Sequence, residues 1–196
     1  QENTLSVTFN DEATNTDVQA VLQSLHYSNS SNDTDNRTIT VTATDKNGGT
    51  SSDTRTIAVA SVNDEPTLTA TGSDPTFNEN ASAASLFSSA SADTIEASQT
   101  VSALTFTVTN VTDGSSEIIN ADDSAIALTN SNSGTSTTNS LSYSVSVSGT
   151  TATVTLSGGT LSAAETQTLV DGLSYQNNSD TPTEADRVVT LTSLQD

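Results

Sequence analysis

The side chains of this chain that can do chemistry are oxygen donors. It carries 24 Asp and Glu against four Lys and Arg, with one His and no Cys. The densest arrangement is Val62-Asn63-Asp64-Glu65-Pro66, an amide and two carboxylates set before a proline. Proline fixes φ and removes a backbone donor, so this run makes a poor strand and a stiff joint. Oxygen side chains gathered at such a joint suit a hard cation, since calcium takes about six to eight oxygens from carboxylates, amides, carbonyls and water. Other acidic groups are Asp33 with Asp35, Asp180 with Asp186, and the pair Asp122-Asp123. Asx-rich turns bond their own backbone and need no metal, so these read first as turn residues.

Catalytic chemistry finds little footing. His26 sits between Leu25 and Tyr27 at a helix-to-strand corner, and no Gly-x-Ser-x-Gly elbow is present. Paired acids of a glycosidase normally work in clefts with aromatic platforms, whereas this chain has three Tyr, four Phe and no Trp. The expectation is a protein that is not an enzyme.

The elements that must position the acids are mostly strands. Val41 and Ala43 alternate with threonines, Asp45-Lys46-Asn47-Gly48-Gly49 is turn chemistry, and Ile57 and Val59 alternate again before the joint. The same alternation runs through Leu5, Val7 and Phe9; Leu104, Phe106 and Val108; Leu141, Tyr143, Val145 and Val147; and Ala152, Val154 and Leu156. Two stretches break it. Val18, Val21, Leu22 and Leu25 have helical spacing behind a Thr16 or Asp17 cap, and Ser162-Ala-Ala-Glu165 is a capping box ahead of Leu169, Val170 and Leu173. The segment Gly114 to Ser140 reads as loop, with a polar, mobile run SNSGTSTTNS. The four phenylalanines read as core. Short strands between Asn, Asp, Gly and Ser turns predict an all-β fold, an antiparallel Greek-key β-sandwich with one short helix per module.

The chain also repeats itself. Residues 6–27 match residues 153–175: Val7 and Phe9 with Val154 and Leu156, and Val21, Leu22, Leu25 and Tyr27 with Leu169, Val170, Leu173 and Tyr175. Asn29 then matches Asn177, Arg37 matches Arg187, Val41 matches Leu191 and Asp45 matches Asp196. The repeat unit is about 150 residues, so the 196-residue chain holds about 1.3 units. Residues 1–64 read as the C-terminal part of one module, and 65–196 as most of the next without its last strand. Either the sequence is a piece of a longer array, or neighbouring chains complete one another by strand exchange.

Strand, Ala43-x-Asp45-x-x-Gly48, strand, Asn63-Asp64-x-Pro66 resembles the end of a cadherin-like repeat, and most closely the tandem cadherin-like repeats of giant bacterial surface and secreted proteins such as repeats-in-toxin adhesins. Phe77-Asn78-Glu79-Asn80 resembles the short acidic motif near the start of such repeats. The resemblance implies a calcium ion at each joint, with a ligand set of Asp45, Asn63, Asp64, Glu79, Asp93 and Glu96, of which Asp64 and Glu79 are the firmest members. Animal cadherins carry a further acid where this chain has Ser61, so the match to their linker is partial. The same acids also read as a solvated surface.

The formal charge of −20 repels nucleic acid and anionic membrane, and no apolar run is long enough for a membrane-spanning helix. No signal peptide is visible, and the chain begins mid-pattern as an excised piece would. With Lys46 the only lysine, Lys–Asn cross-links are not expected. Divalent cations would neutralise and brace the carboxylates together. The function expected is that of a calcium-stiffened structural extender or adhesion module of a secreted or bacterial cell-surface protein. Its partners would be neighbouring modules of the same chain or neighbouring subunits, and ligands on a host or biofilm surface. The alternatives are a β-sandwich that binds a glycan or protein, and a subunit of an extracellular filament joined by strand exchange.

Overall fold

The computed structural model describes residues 4–96 and 98–196. The chain divides into two compact units, Gln1–Val59 and Ala60–Asp196.

The first unit has one helix and one strand pair. Helix α1 spans Asn15–Gln23, and Thr14 and Asp17 form a reciprocal capping box at its start. Strands β1 (Arg37–Thr44) and β2 (Thr50–Ile57) pair antiparallel, from Arg37 opposite Ile57 to Thr44 opposite Thr50. The turn between them is held by Asp45, whose Oδ1 accepts from the backbone N–H of Asn47 and Gly49 at 2.9 and 2.8 Å. Gly48 sits at φ +86°, a backbone conformation that glycine reaches without strain.

The second unit is built from strands β3 (Thr67–Gly72), β4 (Ala84–Ser85), β5 (Phe87–Asp93), β6 (Val101–Val108), β7 (Glu117–Ala121), β8 (Ser124–Ala127), β9 (Ser133–Thr135), β10 (Ser142–Ser148) and β11 (Thr151–Leu161), then helix α2 (Ala163–Asp171) and strands β12 (Ser174–Asn177) and β13 (Val189–Gln195). All its strand pairs are antiparallel. One sheet runs β13-β6-β11-β10-β9, a second runs β4-β12-β7-β8, and β3 pairs with β5. A single core contains side chains of both larger sheets: Leu104, Phe106, Val145, Val154 and Leu156 from one, Ile119, Ile126 and Tyr175 from the other. Helix α2 adds Leu169 and Val170 to this core, and its Asp171 accepts the backbone N–H of Ala90 on β5 at 2.9 Å. The fold is thus all-β with two short helices, as the periodicities predict.

Three expectations fail locally. Leu5, Val7 and Phe9 form no strand, and Phe9 is not core but 39% exposed. Their repeat counterpart β11 forms because β6 and β10 flank it, whereas no described residue of the first unit pairs with residues 5–9. The expected loop over Gly114–Ser140 contains β7, β8 and β9. Asp122 and Asp123 make a two-residue hairpin turn there, at φ 51° and 57°, the mirror-image geometry that matches strand twist. The polar run is not a free loop. Asp122 accepts hydrogen bonds from the Ser136 hydroxyl and from the backbone and side chain of Asn139, and Ser136 is buried.

Candidate functional site

Where the linker reaches the second unit, oxygen-bearing groups converge. Glu96 follows β5 and is buried, with its Oε1 accepting the backbone N–H of Asp64 at 2.9 Å. The side-chain amide of Gln99 lies 2.8 Å from Glu96 Oε2, 2.8 Å from Asp196 Oδ2 and 3.2 Å from the carbonyl of Thr94. The amide of Asn63 touches the same Gln99 side chain and stands 3.5 Å from Asp196 Oδ1. The elements explain the convergence. Thr67 is paired with Asp93, so the linker before Pro66 runs beside the loop that follows β5. Gln195, at the end of β13, is paired with Ala103 of β6, which brings Asp196 to the same end of the unit.

Gln99 turns its amide nitrogen towards this point and donates to both carboxylates and to the carbonyl, so the fold itself satisfies the cup. The oxygen donors gathered here, carboxylate, amide and backbone carbonyl, are of the types that calcium takes. The acid count is low, and among the described residues no three Asp, Glu, His or Cys side chains are placed together as a metal ligand set.

The expected ligands are distributed as follows. Asn63, Glu96 and the backbone of Asp64 meet in the cup. Asp93 is adjacent, with its Oδ1 accepting the N–H of Ile95 at 2.9 Å. Glu79 is exposed, and its Oε1 accepts from the neighbouring Asn80 amide at 3.4 Å. Asp45 belongs to the first unit, at the turn end of β1–β2, while the chain leaves for Asn63 from the other end of that pair. The cup contains instead its repeat counterpart, Asp196. Asp196 and Gln99 are the members that the acidic motif alone did not single out; the matching of Asp45 to Asp196 was the signal for the first, and Gln99 had none.

A second polar centre is buried. Glu117, fully buried at the start of β7, accepts from the N–H groups of Thr112 and Asp113 at 2.7 and 2.8 Å, from the Tyr175 hydroxyl at 3.1 Å, and from Arg187 at 3.0 and 3.2 Å. Arg187 also reaches Asp113 at 3.3 Å and donates to the carbonyls of Thr183 and Ala185, both at 2.7 Å. Burial pushes the Glu117 carboxyl up, but the guanidinium and the two N–H donors outweigh it and hold it below its ordinary value. Asp113 is lowered mainly by the Thr183 hydroxyl. Burial, reinforced by the Glu117 charge, raises the Tyr175 phenol. Among the described residues no buried side-chain nitrogen or oxygen lacks a partner, and the cluster braces β7, β12 and the loop before β13. Around it the repeat extends to detail: Arg187 and Arg37 each clasp the carbonyl two residues back, and Asn177 and Asn29 each accept an N–H two residues on, at 3.0 Å.

The other singled-out groups are local. Asp33 pairs with Arg37 at 2.7 Å, and the Nδ1 of exposed His26 lies 2.6 Å from the carbonyl of Ser24. Among the described residues no helix is long and apolar enough to cross a membrane. No family model, no curated protein and no solved structure matches this chain.

Proposed function

We propose that this chain is a structural extender or adhesion module, a cadherin-like Greek-key β-sandwich repeat of a secreted or cell-surface protein, in which calcium at the module joint removes linker freedom. The observation that carries this reading is the convergence of Asn63, Glu96, Gln99 and Asp196 on one point at the linker. The internal repeat and the −20 charge support it. Glu96, Asp196 and Asn63 would hold the ion together with the Thr94 carbonyl and a rotated Gln99. Asp64 and Asp93 stand nearby to add oxygens through water. The ion would tie residues 63 and 64 to the ends of β5 and β13, and binding energy available only to the ordered segment becomes stiffness.

The test is a thermal melt in EDTA and again in about millimolar calcium, the range of weak extracellular sites, with magnesium as control. At ten times Kd, binding stabilises by about 1.4 kcal/mol, which for a unit of this size raises the midpoint by about 4–6 °C. Glu96→Gln and Asp196→Asn should each abolish the rise. Equal midpoints in EDTA and calcium would sink the reading.

A further inference from the structure

The turn between β1 and β2 holds a peptide bond that can react with its own side chain. Of the chain's asparagines only Asn47 precedes a glycine. An asparagine cyclises when the backbone nitrogen of the next residue reaches the side-chain carbonyl carbon, and a side chain on that next residue obstructs the approach. Glycine has none. Asn47 and Gly48 are both exposed, and a Cβ added at Gly48 would meet nothing within 4 Å, so solvent reaches the reacting atoms.

The loop is Lys46-Asn47-Gly48, three residues closed by a left-handed glycine, and the carbonyl of Asp45 accepts the Gly48 N–H at 3.1 Å. In that closed form the attacking nitrogen is engaged, so the reaction belongs to the open hairpin. Opening costs little. β1 and β2 contain no fully buried residue, and a two-stranded pair is of marginal stability alone. The two Asp-Gly pairs, which cyclise by loss of water, are held differently. Asp113 is bonded by Asn177, Thr183 and Arg187, and Asp171 Oδ1 by the N–H of Ala90, all within the unit that carries the core.

We propose that Asn47–Gly48 is a site of spontaneous covalent modification through which the β1–β2 hairpin ages. In the open hairpin the Gly48 nitrogen gives its proton to hydroxide and bonds to Asn47 Cγ. The Cγ–Nδ2 bond breaks, and Nδ2 takes up a proton and leaves as ammonia. Water then opens the cyclic imide. Attack at Cγ gives aspartate at this position. Attack at the main-chain carbonyl carbon gives isoaspartate, in which the backbone runs through Cβ and Cγ. The sum is amide plus water to carboxylate plus ammonium, with no oxidant or reductant.

Either product adds a negative charge beside Asp45, in a chain of net charge −20. Isoaspartate also lengthens the backbone of a three-residue loop by one atom. Loop length fixes hairpin register, here from Arg37 opposite Ile57 to Thr44 opposite Thr50. The isoaspartyl form therefore loses the pairing of β1 with β2.

Incubation of the full chain in EDTA at mildly alkaline pH, followed by proteolysis and mass spectrometry, tests this without any contribution from the proposed cation. The fragment containing Asn47 should exchange NH2 for OH and become a substrate for isoaspartyl methyltransferase. Fragments from residues 60–196 should change at least tenfold more slowly. The rate at Asn47 should lie within about tenfold of that in a free peptide of residues 41–54, and should rise with pH. Gly48→Ala should slow it at least tenfold, and Asn47→Ser should remove it. In the isoaspartyl form, nuclear Overhauser contacts between β1 and β2 should disappear while those between β6 and β11 persist. Conversion more than a hundredfold slower than in the free peptide overturns the proposal, because the hairpin would then stay closed and shield the bond. So does methyltransferase labelling that survives Asn47→Ser. Intact β1–β2 contacts in the isoaspartyl form overturn its effect on the hairpin.

Discussion

Arg187 and Glu117 show what a single charge does in a chain with so few cations. Both side chains are buried, at 9% and 0% exposure, and each satisfies the other. Arg187→Ala leaves a buried carboxylate without its counter-charge, and loss of one member of such a pair costs about 3–5 kcal/mol. Urea unfolding should show that loss for Arg187→Ala. Arg37→Ala, at the matching position of the first unit, should change the same transition by less than about 0.5 kcal/mol, because Arg37 pairs with a carboxylate 54% exposed and donates to a local carbonyl. The pair also sets an acid limit. The carboxyls of Glu117 and Asp113 are held below their ordinary values. A folded value below the unfolded one gives stability that is fully present above the unfolded pKa and lost as pH falls through the folded pKa. Stability should therefore be flat in this respect near neutrality and decline below about pH 4.5. The advantage of wild type over Glu117→Gln should shrink over the same range, read by urea midpoints at successive pH values. A constant difference down to pH 2 would contradict it. The repeat made the arginine legible in the sequence. Glu117 was one acid among 24, because its partner is 70 residues away and only the fold joins them.

Helices and strands were legible where their signal is local. The capping box of Ser162 with Glu165 closes within four residues as expected, whereas the first helix is capped not by Thr16 or Asp17 but by Thr14, which closes its box with Asp17. Ser162→Ala should cost about 1 kcal/mol in the unfolding of the second unit, the usual worth of an N-cap. Thr14→Ala should leave that transition unchanged. Alternation likewise marked β1, β6, β10 and β11. It failed at Leu5, Val7 and Phe9 because a period-2 pattern states which face is apolar and does not supply the neighbours that make a strand. The same limit separates equivalent leucines. Leu173 is completely buried and Leu25 is 47% exposed, although the two occupy matching places after their helices. Leu173→Ala should cost about 2–5 kcal/mol and Leu25→Ala less than about 0.5 kcal/mol, both measured by urea unfolding. Equal costs would mean that the first unit has a packed partner in solution.

At the scale of the molecule, the charge and the core are unequally shared. None of residues 4–59 is fully buried, while the second unit holds the whole hydrophobic core. Burial of apolar surface is the main favourable term in folding, and a two-stranded pair with one short helix has little of it. The two units should therefore not unfold together. Amide exchange should report opening free energies near zero across β1 and β2 and near the global value in β6 and β11. Removing residues 1–59 should shift the stability of the second unit by less than about 0.5 kcal/mol, the scale on which independent parts add. Salt supplies a second handle, because carboxylates repel in the folded state and a Debye length of about 8–10 Å at physiological ionic strength leaves close neighbours unscreened. Raising sodium chloride should stabilise the second unit modestly and without saturation. Calcium should saturate at a defined site, and the two effects separate by curvature alone.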